Sequence, residues 1–467
     1  MILPIAIIKK HFFLSILLLT GFCSCKKFVQ VPPPGNQLES GTIFSNDQGA
    51  VDAMMGVYSR AMATSGYLLN GGVSVFTGLS ADEISPTTYL AVTAAFYENA
   101  LASNNSAVGT LYSSSYNSIY NATMVLENLA ISPGITDSTR KRLSGEAKFV
   151  RAALFFYLVN LFGEVPLTTS TDYEKNAVVV RATVPEVYQQ IISDLLSAQN
   201  LLPVTYATTK DYPADRTRPN KWAVTALLAR VYLYMQRWAD AEAAASAVIV
   251  SGSYRLEGLD SVFLSTSQES ILQLQPVSGI MNTAEGNFFL PPDDPQTPPA
   301  YALTSFLAAA FESGDGRKQH WTGTKMIGGT AWTYPAKYKI RTGGYPYSEY
   351  ETVIRLAEQY LIRAEARAEQ GNFQTAIDDL NTIRYRAGLP ALSIPLTQTE
   401  VLAAVARERR VELFTEFGHR WLDLKRTGNA DAILAQEKKT WQPYAAIYPI
   451  PLHDLQLNSA LTQNAGY

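Results

Sequence analysis

The chain has 467 residues, 47% of them hydrophobic and 17% charged, which is enough apolar material for a sizeable core and too much for a disordered chain. Its formal net charge is −3, and Lys and Arg are spread along it without a basic block of the kind that neutralises phosphates, so no nucleic-acid partner is expected. Both cysteines, Cys23 and Cys25, fall within the first 25 residues, which leaves the rest of the chain without a disulfide framework, thiolate metal site or cysteine nucleophile.

The first segment reads as an export signal. Lys9, Lys10 and His11 precede an apolar run, Phe12 to Phe22, which is shorter than the ~20 residues a spanning helix needs. A lipoprotein signal places a cysteine directly after the cut and a small residue before it. Ser24 precedes Cys25, whereas the bulky Phe22 precedes Cys23. Residues 1–24 are therefore expected to be a lipoprotein signal and Cys25 to carry lipid. Residues 25–40, with Pro32-Pro33-Pro34-Gly35, are expected to form a proline-stiffened tether. At ~0.8 kcal/mol per buried methylene, several acyl chains hold a protein on a membrane essentially permanently.

From there on the strongest periodicity is helical. Apolar residues at three and four spacing predict helices over Val51–Ala63, Tyr116–Leu129 and Leu143–Phe162, the last ending at Gly163. Pro185 opens another over Val187–Leu202. Asn220–Ser251 and Arg355–Arg386 resemble each other. Superposed, Ala229 meets Ala364, Trp238 meets Phe373, Ala241 meets Ala376 and Ala245 meets Leu380. Each predicts two helices joined by a short turn, with alanine where the pair must approach closely, which is the tetratricopeptide pattern. The expected division is a helical part over 41–255 and a second part over 256–467. The second opens with a loop-rich stretch, 256–350, in which Glu269 to Leu274 is strand-like and Pro291-Pro292-Asp293-Asp294-Pro295 and Pro298-Pro299 mark long loops. Irregular loops on a rigid scaffold are a common way to build a binding face.

Catalytic signatures are missing. His11, His320, His419 and His453 are far apart without metal-ligand spacing, and no Walker loop, G-x-S-x-G elbow or G-x-G-x-x-G fingerprint occurs. The acid pairs Asp82-Glu83, Asp293-Asp294 and Asp378-Asp379 are neighbours in sequence, which does not set them across a cleft. The expectation is a binding protein, with no catalysis and no cofactor. Its 26 Tyr and six Trp offer apolar faces with polar tips, which suit sugars or peptides. The candidate rings are Phe96 and Tyr97 after the Asp82-Glu83 pair, and Trp321, Trp332, Tyr334, Tyr345 and Tyr347 in the loop-rich stretch. The densest charged segment, Arg407 to Arg426, sets Arg409, Glu412, Glu416 and Arg420 at three and four spacing, and is expected to be a structural ion network tying the last helices to the core.

Several segments occur in a fixed order: Ser24-Cys25-Lys26-Lys27-Phe28, Ser80-Ala81-Asp82-Glu83, Tyr116 to Ala122, Gly145 to Ala152 and Leu161 to Leu167. Further on come Ala364-Glu365-Ala366, Leu380 to Arg384, Glu408-Arg409-Arg410, Arg420 to Leu424, Tyr448-Pro449-Ile450-Pro451 and Gln463 to Tyr467. Together they resemble the SusD/RagB family of surface lipoproteins from Bacteroidetes. The resemblance implies a mainly α fold: tetratricopeptide-like hairpins in a right-handed superhelical scaffold with an irregular ligand-facing region. It also implies outward-facing attachment to the outer membrane and a SusC-like TonB-dependent transporter as partner, over which the lipoprotein acts as a lid. Members bind glycans in many cases and peptides in others, with glycan the preferred reading here. Acidic residues often follow the lipidated cysteine in surface-exported members, whereas Lys26 and Lys27 stand here. Two other readings are a tetratricopeptide scaffold that binds only a protein partner, and a surface glycosidase.

Overall fold

The computed structural model describes residues 40–208, 216–277, 279–393 and 395–467; the expected leader, Cys25 and the tether up to residue 39 lie outside them. The chain is mainly α. Its principal helices are α1 (Asp47–Ala61), α2 (Val73–Ser80), α3 (Ser106–Ile131), α4 (Asp137–Phe162), α5 (Val184–Leu201), α6 (Lys221–Tyr234), α7 (Trp238–Val250), α8 (Leu356–Glu369), α9 (Phe373–Arg386), α10 (Gln398–Glu412) and α11 (His419–Arg426). Where periodicity predicts a helix, one is found, usually longer than its apolar stripe. The extensions come from caps: Asn46 accepts from Gly49 N, Asn105 from Ala107 N and Thr136 from Thr139 N. Thr183 and Glu186 form a capping box around Pro185 at the start of α5.

The long helices form one continuous array. Apart from the short α2, each of α1 to α10 packs on the next, α1 on α3, α3 on α4, and so on to α9 on α10. The two similar segments are the hairpins α6–α7 and α8–α9, and α7 packs directly on α8 although residues 251–355 separate them in sequence. Ala229, Ala241, Ala245, Ala364 and Ala376 are all fully buried, so the matched alanines are the close-approach positions of the stack.

Segment 251–355 leaves this array and returns to it through two buried strands. β2 (Ser270–Leu274) pairs antiparallel with β6 (Glu351–Arg355), which leads into α8. Between them, β3 (Tyr301–Leu303) pairs antiparallel with β1 (Ile84–Pro86) from the first half, and β4 (Thr322–Ile327) and β5 (Thr330–Pro335) form a hairpin. The hairpin turns on Gly328 and Gly329, with φ of +55° and +82°, the positive pair that a two-residue turn between right-twisted strands requires.

The charged segment does not pair along one helix as its spacing suggests. α10 ends at Glu412, and Thr415 and Phe417 then take φ of +51° and +41°, an uncommon backbone for side-chain-bearing residues, so Glu416 lies in a turn and Arg420 in α11. Every partner comes from another element. Arg409 Nε meets Asp423 Oδ2 at 2.7 Å, and Arg420 Nε meets Asp82 Oδ1 at 2.6 Å. Glu412 takes Arg355 at 2.5 Å, Arg317 at 3.0 Å and Arg386, while Glu416 takes Arg355 at 2.7 Å and Lys337. These groups are nearly or fully buried, which lets several cations hold the Glu412 carboxyl well below the usual carboxylate range despite its burial.

Candidate ligand-binding site

The β1/β3 pair is clamped at both ends by the sequence around Asp82-Glu83. Thr304 donates its N–H to Glu83 O at 2.9 Å and its hydroxyl to Asp82 O at 2.6 Å. At the other end Thr87 donates its N–H to Ala300 O at 3.1 Å and its hydroxyl to Pro299 O at 2.6 Å. The proline-rich loop 291–300 is drawn onto the β4/β5 hairpin by Lys325, whose Nζ donates to Pro292 O at 2.9 Å and Asp294 O at 2.6 Å. A short helix, Ala284–Phe289, is capped by Thr283 and by Glu351 Oε1, which accepts from Ala284 N at 3.0 Å and Glu285 N at 3.2 Å.

These elements enclose a cleft of about 350 Å³. Leu90, Phe288, Leu290, Pro292 and Tyr301 give it apolar surface, Thr87, Thr88, Thr93, Thr297 and Asn287 give it hydroxyl and amide groups, and Arg341 is its one charged lining residue. No Asp or Glu lines it. Thr88, Tyr89 and Leu90 are exposed at its edge. Below it, Glu285 and Glu351 are fully buried; burial raises the Glu351 carboxyl to about 8 and, with the Glu351 charge, lifts Glu285 well above the usual range. Ser74 donates to Glu285, so this acid pair belongs to the packing under the cleft. Among the described residues no group of His, Cys, Asp and Glu side chains could hold a metal ion, and no helix is long and apolar enough to cross a membrane.

The expected rings divide. Phe96 is fully buried, stacked on Phe76 at 4.7 Å and edge-on to Tyr448 at 5.5 Å, so it gives no face to a ligand. Trp321 is equally buried. Its Nε1 donates to Leu259 O at 2.9 Å, Phe263 lies edge-on at 5.6 Å, and Lys337 Nζ sits 4.8 Å from its ring. Both are corrected to core residues. Tyr97 is half-buried, with Lys438 Nζ 5.0 Å from its ring. Trp332 and Tyr334 are half-buried on β5, opposite Lys325 and Gly323; the Tyr334 ring lies where a Gly323 side chain would be, 2.4 Å from a Cβ built there. Tyr345 is 82% exposed and meets half-buried Tyr347 edge-to-face at 6.0 Å, in the loop that follows Arg341. Sequence reasoning passed over Thr88, Phe288, Tyr301 and Arg341. The proline pairs of the 291–300 loop were the nearest signal, and Pro292 and Pro298 do line the cleft.

Two family profiles match the chain: one described as SusD-like, starch-binding associating with outer membrane, over residues 70–233, and one described as SusD family over residues 304–467. A SusD-like protein of Formosa agariphila is 25% identical, over 95% of this chain and 97% of its own length. The starch-binding protein SusD of Bacteroides thetaiotaomicron is 26% identical, over 72% of this chain and 74% of its own. Among solved structures, a SusD superfamily protein from Bacteroides vulgatus superposes with a TM-score of 0.80 at 20% identity, covering 91% of this chain and 100% of that one. A laminarin-binding SusD-like protein superposes with a TM-score of 0.74 at 26% identity and the same coverage. On the array of helices, the clamped strand pair and these matches over both halves, the chain belongs to the SusD/RagB family.

Proposed function

We propose that this chain is a lipoprotein held on the outer membrane through Cys25, facing outward, that binds a glycan in the cleft between Thr88 and Arg341 and delivers it to a SusC-like TonB-dependent transporter as its lid. The observation that carries the binding step is the lining of the cleft: apolar and aromatic surface beside a row of hydroxyl and amide groups. Sugars present C–H faces and hydroxyls together, and such a lining answers both. Relatives named for starch and for laminarin favour a glycan over an oligopeptide. Binding without turnover is favoured because glycoside hydrolysis uses two carboxyl groups roughly 5–9.5 Å apart across the bond, and the cleft lining offers none.

A glycan array read beside a peptide panel, with the full-length protein in detergent, tests the ligand. Retention of glycans alone is expected, and Thr88→Trp, which fills the cleft mouth from an exposed position, should abolish it. Hits confined to peptides would overturn the glycan assignment. For the anchor, Cys25→Ala is expected to move the protein out of the membrane fraction, and unchanged sedimentation would count against it. Affinity capture from the native membrane is expected to bring a barrel transporter with the protein.

A further inference from the structure

We propose that the cleft is built for an acidic glycan, one bearing a carboxylate or sulfate group, with the Arg341 guanidinium as its anion contact. This rests on the reading of the cleft as the glycan site and goes beyond it by naming the class of sugar.

Arg341 is the only charged residue in the lining, and its side chain makes no hydrogen bond, ion pair or ring contact among the described residues. Its Nε is nevertheless shut off from solvent. Four other arginines have a buried nitrogen without a partner, namely Arg140, Arg386, Arg409 and Arg410, and each commits at least one other nitrogen: to the Ser132 carbonyl, Glu412, Asp423 and Asp82 respectively. Arg341 alone of these leaves its whole guanidinium uncommitted. Withdrawing part of a guanidinium from water without an anion costs free energy, and a planar fork of N–H donors matches a carboxylate or a sulfate two bonds at a time.

The nearby charges fit the same ligand. Lys325 borders the cleft wall through its bonds to the Pro292 and Asp294 carbonyls, and adds positive potential. Of the two acids of the loop, Asp293 and Asp294, the latter accepts from the Thr297 hydroxyl and from Gln296 N at 3.1 Å, and neither lines the cleft. Asn287, which donates to the Arg341 carbonyl at 3.4 Å, ties the backbone of Arg341 to the helix that carries Phe288. The anion contact and an apolar surface are thus held in one frame, as a sugar ring with an acidic substituent requires.

The test is calorimetric titration of the full-length protein in detergent with matched pairs: a uronate-bearing oligosaccharide and its carboxyl-reduced form, and a sulfated oligosaccharide and its desulfated form. The acidic member of at least one pair is expected to bind about tenfold tighter or more, equivalent to about 1.4 kcal/mol. That preference should vanish in Arg341→Gln, return in part in Arg341→Lys, and weaken with added salt, while the urea midpoint of both variants stays at the parent value. The responding pair tells carboxylate from sulfate. Equal binding of acidic and neutral members, with both lost in Thr88→Trp, would overturn the acidic class and leave the glycan site standing. Glycan binding indifferent to Thr88→Trp would remove the site and this inference with it. Arg341-dependent binding of acidic peptides, with no glycan retained, would overturn the inference as well.

Discussion

Asp82 offers the sharpest test of what holds the two halves together. Its carboxylate has no solvent exposure and accepts from Arg420 Nε at 2.6 Å, from Arg420 Nη2 at 2.7 Å, and from Arg410 Nη2. Arg420 and Arg410 are themselves only 10% and 19% exposed. Asp82→Ala would leave both guanidinium groups largely desolvated without their shared anion. Removing one partner of a buried pair costs about 3–5 kcal/mol. The low end is expected, because Glu83 lies next door and its carboxyl is raised partly by the Asp82 charge. Without that charge Glu83 ionises more readily and faces Arg420 in turn. The control is Arg237–Asp240, equally close at 2.6 Å but 43% and 49% exposed, where Asp240→Ala should cost about 1 kcal/mol at most. Urea unfolding followed by circular dichroism and by tryptophan fluorescence reads both variants, the two probes together showing whether a single transition holds. An Asp82→Ala loss no larger than that of Asp240→Ala would refute the claim that burial gives this pair its weight.

The other expectations use the same unfolding assay or a binding assay. Burial, then the Asp82 charge, push the Glu83 carboxyl up to about 8 from 4.5, so its stabilising contribution is full below pH 4.5 and lost as pH rises through about 8. Glu83→Gln keeps an acceptor for Thr415 N and removes that slope, so its midpoint should improve relative to the parent between about pH 5 and pH 9; a pH-independent difference would contradict this. Gly145→Ala would set a Cβ 2.7 Å from Leu202 Cγ where α4 meets the end of α5, and should cost about 1–3 kcal/mol, partly recovered by Leu202→Ala. Trp321→Ala should lose about 3–5 kcal/mol of stability, whereas Tyr345→Ala should leave the midpoint unchanged; the reverse pattern would undo the sorting of core rings from surface rings.

The helical scaffold was readable because its signals are local. Periodicity, the Thr183–Glu186 cap and matched alanines lie within a few turns of one another, and each agrees with the array that forms. The rings were not readable in the same way. Trp321 and Tyr345 both sit in a loop-rich stretch, and what separates them is whether Phe263, Lys337 and the Leu259 carbonyl arrive to enclose one of them. The charged segment failed for a related reason. Three and four spacing presumes an unbroken helix, and the positive φ of Thr415 and Phe417 that breaks it has no marker in residue type. Gly328-Gly329 between alternating strands was a legible hairpin that went unread. Beyond the proline pairs of the 291–300 loop the cleft had no local signal, because Thr88 and Arg341 are far apart in sequence and come to one cleft only in the folded chain.

The segments that carry the family resemblance are joints of this scaffold, and this explains why they reveal the fold and conceal the ligand. Ser80 shares a hydrogen bond with the Tyr448 hydroxyl at 2.8 Å, and Tyr448 stacks on Trp421 at 5.9 Å. Asn464 Nδ2 bridges the Phe162 carbonyl at 2.9 Å and the Tyr448 carbonyl at 2.7 Å, while Glu146 accepts from Arg218 at 2.7 Å. Each contact joins residues far apart in the chain, so a change on one side leaves a buried polar group without its partner. None of these motif residues lines the cleft. The loops that do line it are fastened mainly through backbone carbonyls, as at Asp82, Glu83, Pro299 and Ala300, which constrain their path but not most of their side chains. Ligand chemistry is therefore free to change at positions such as Thr88 and Arg341 without disturbing the joints. Substitutions there should change the unfolding free energy by no more than about 0.5 kcal/mol while altering which glycan is held.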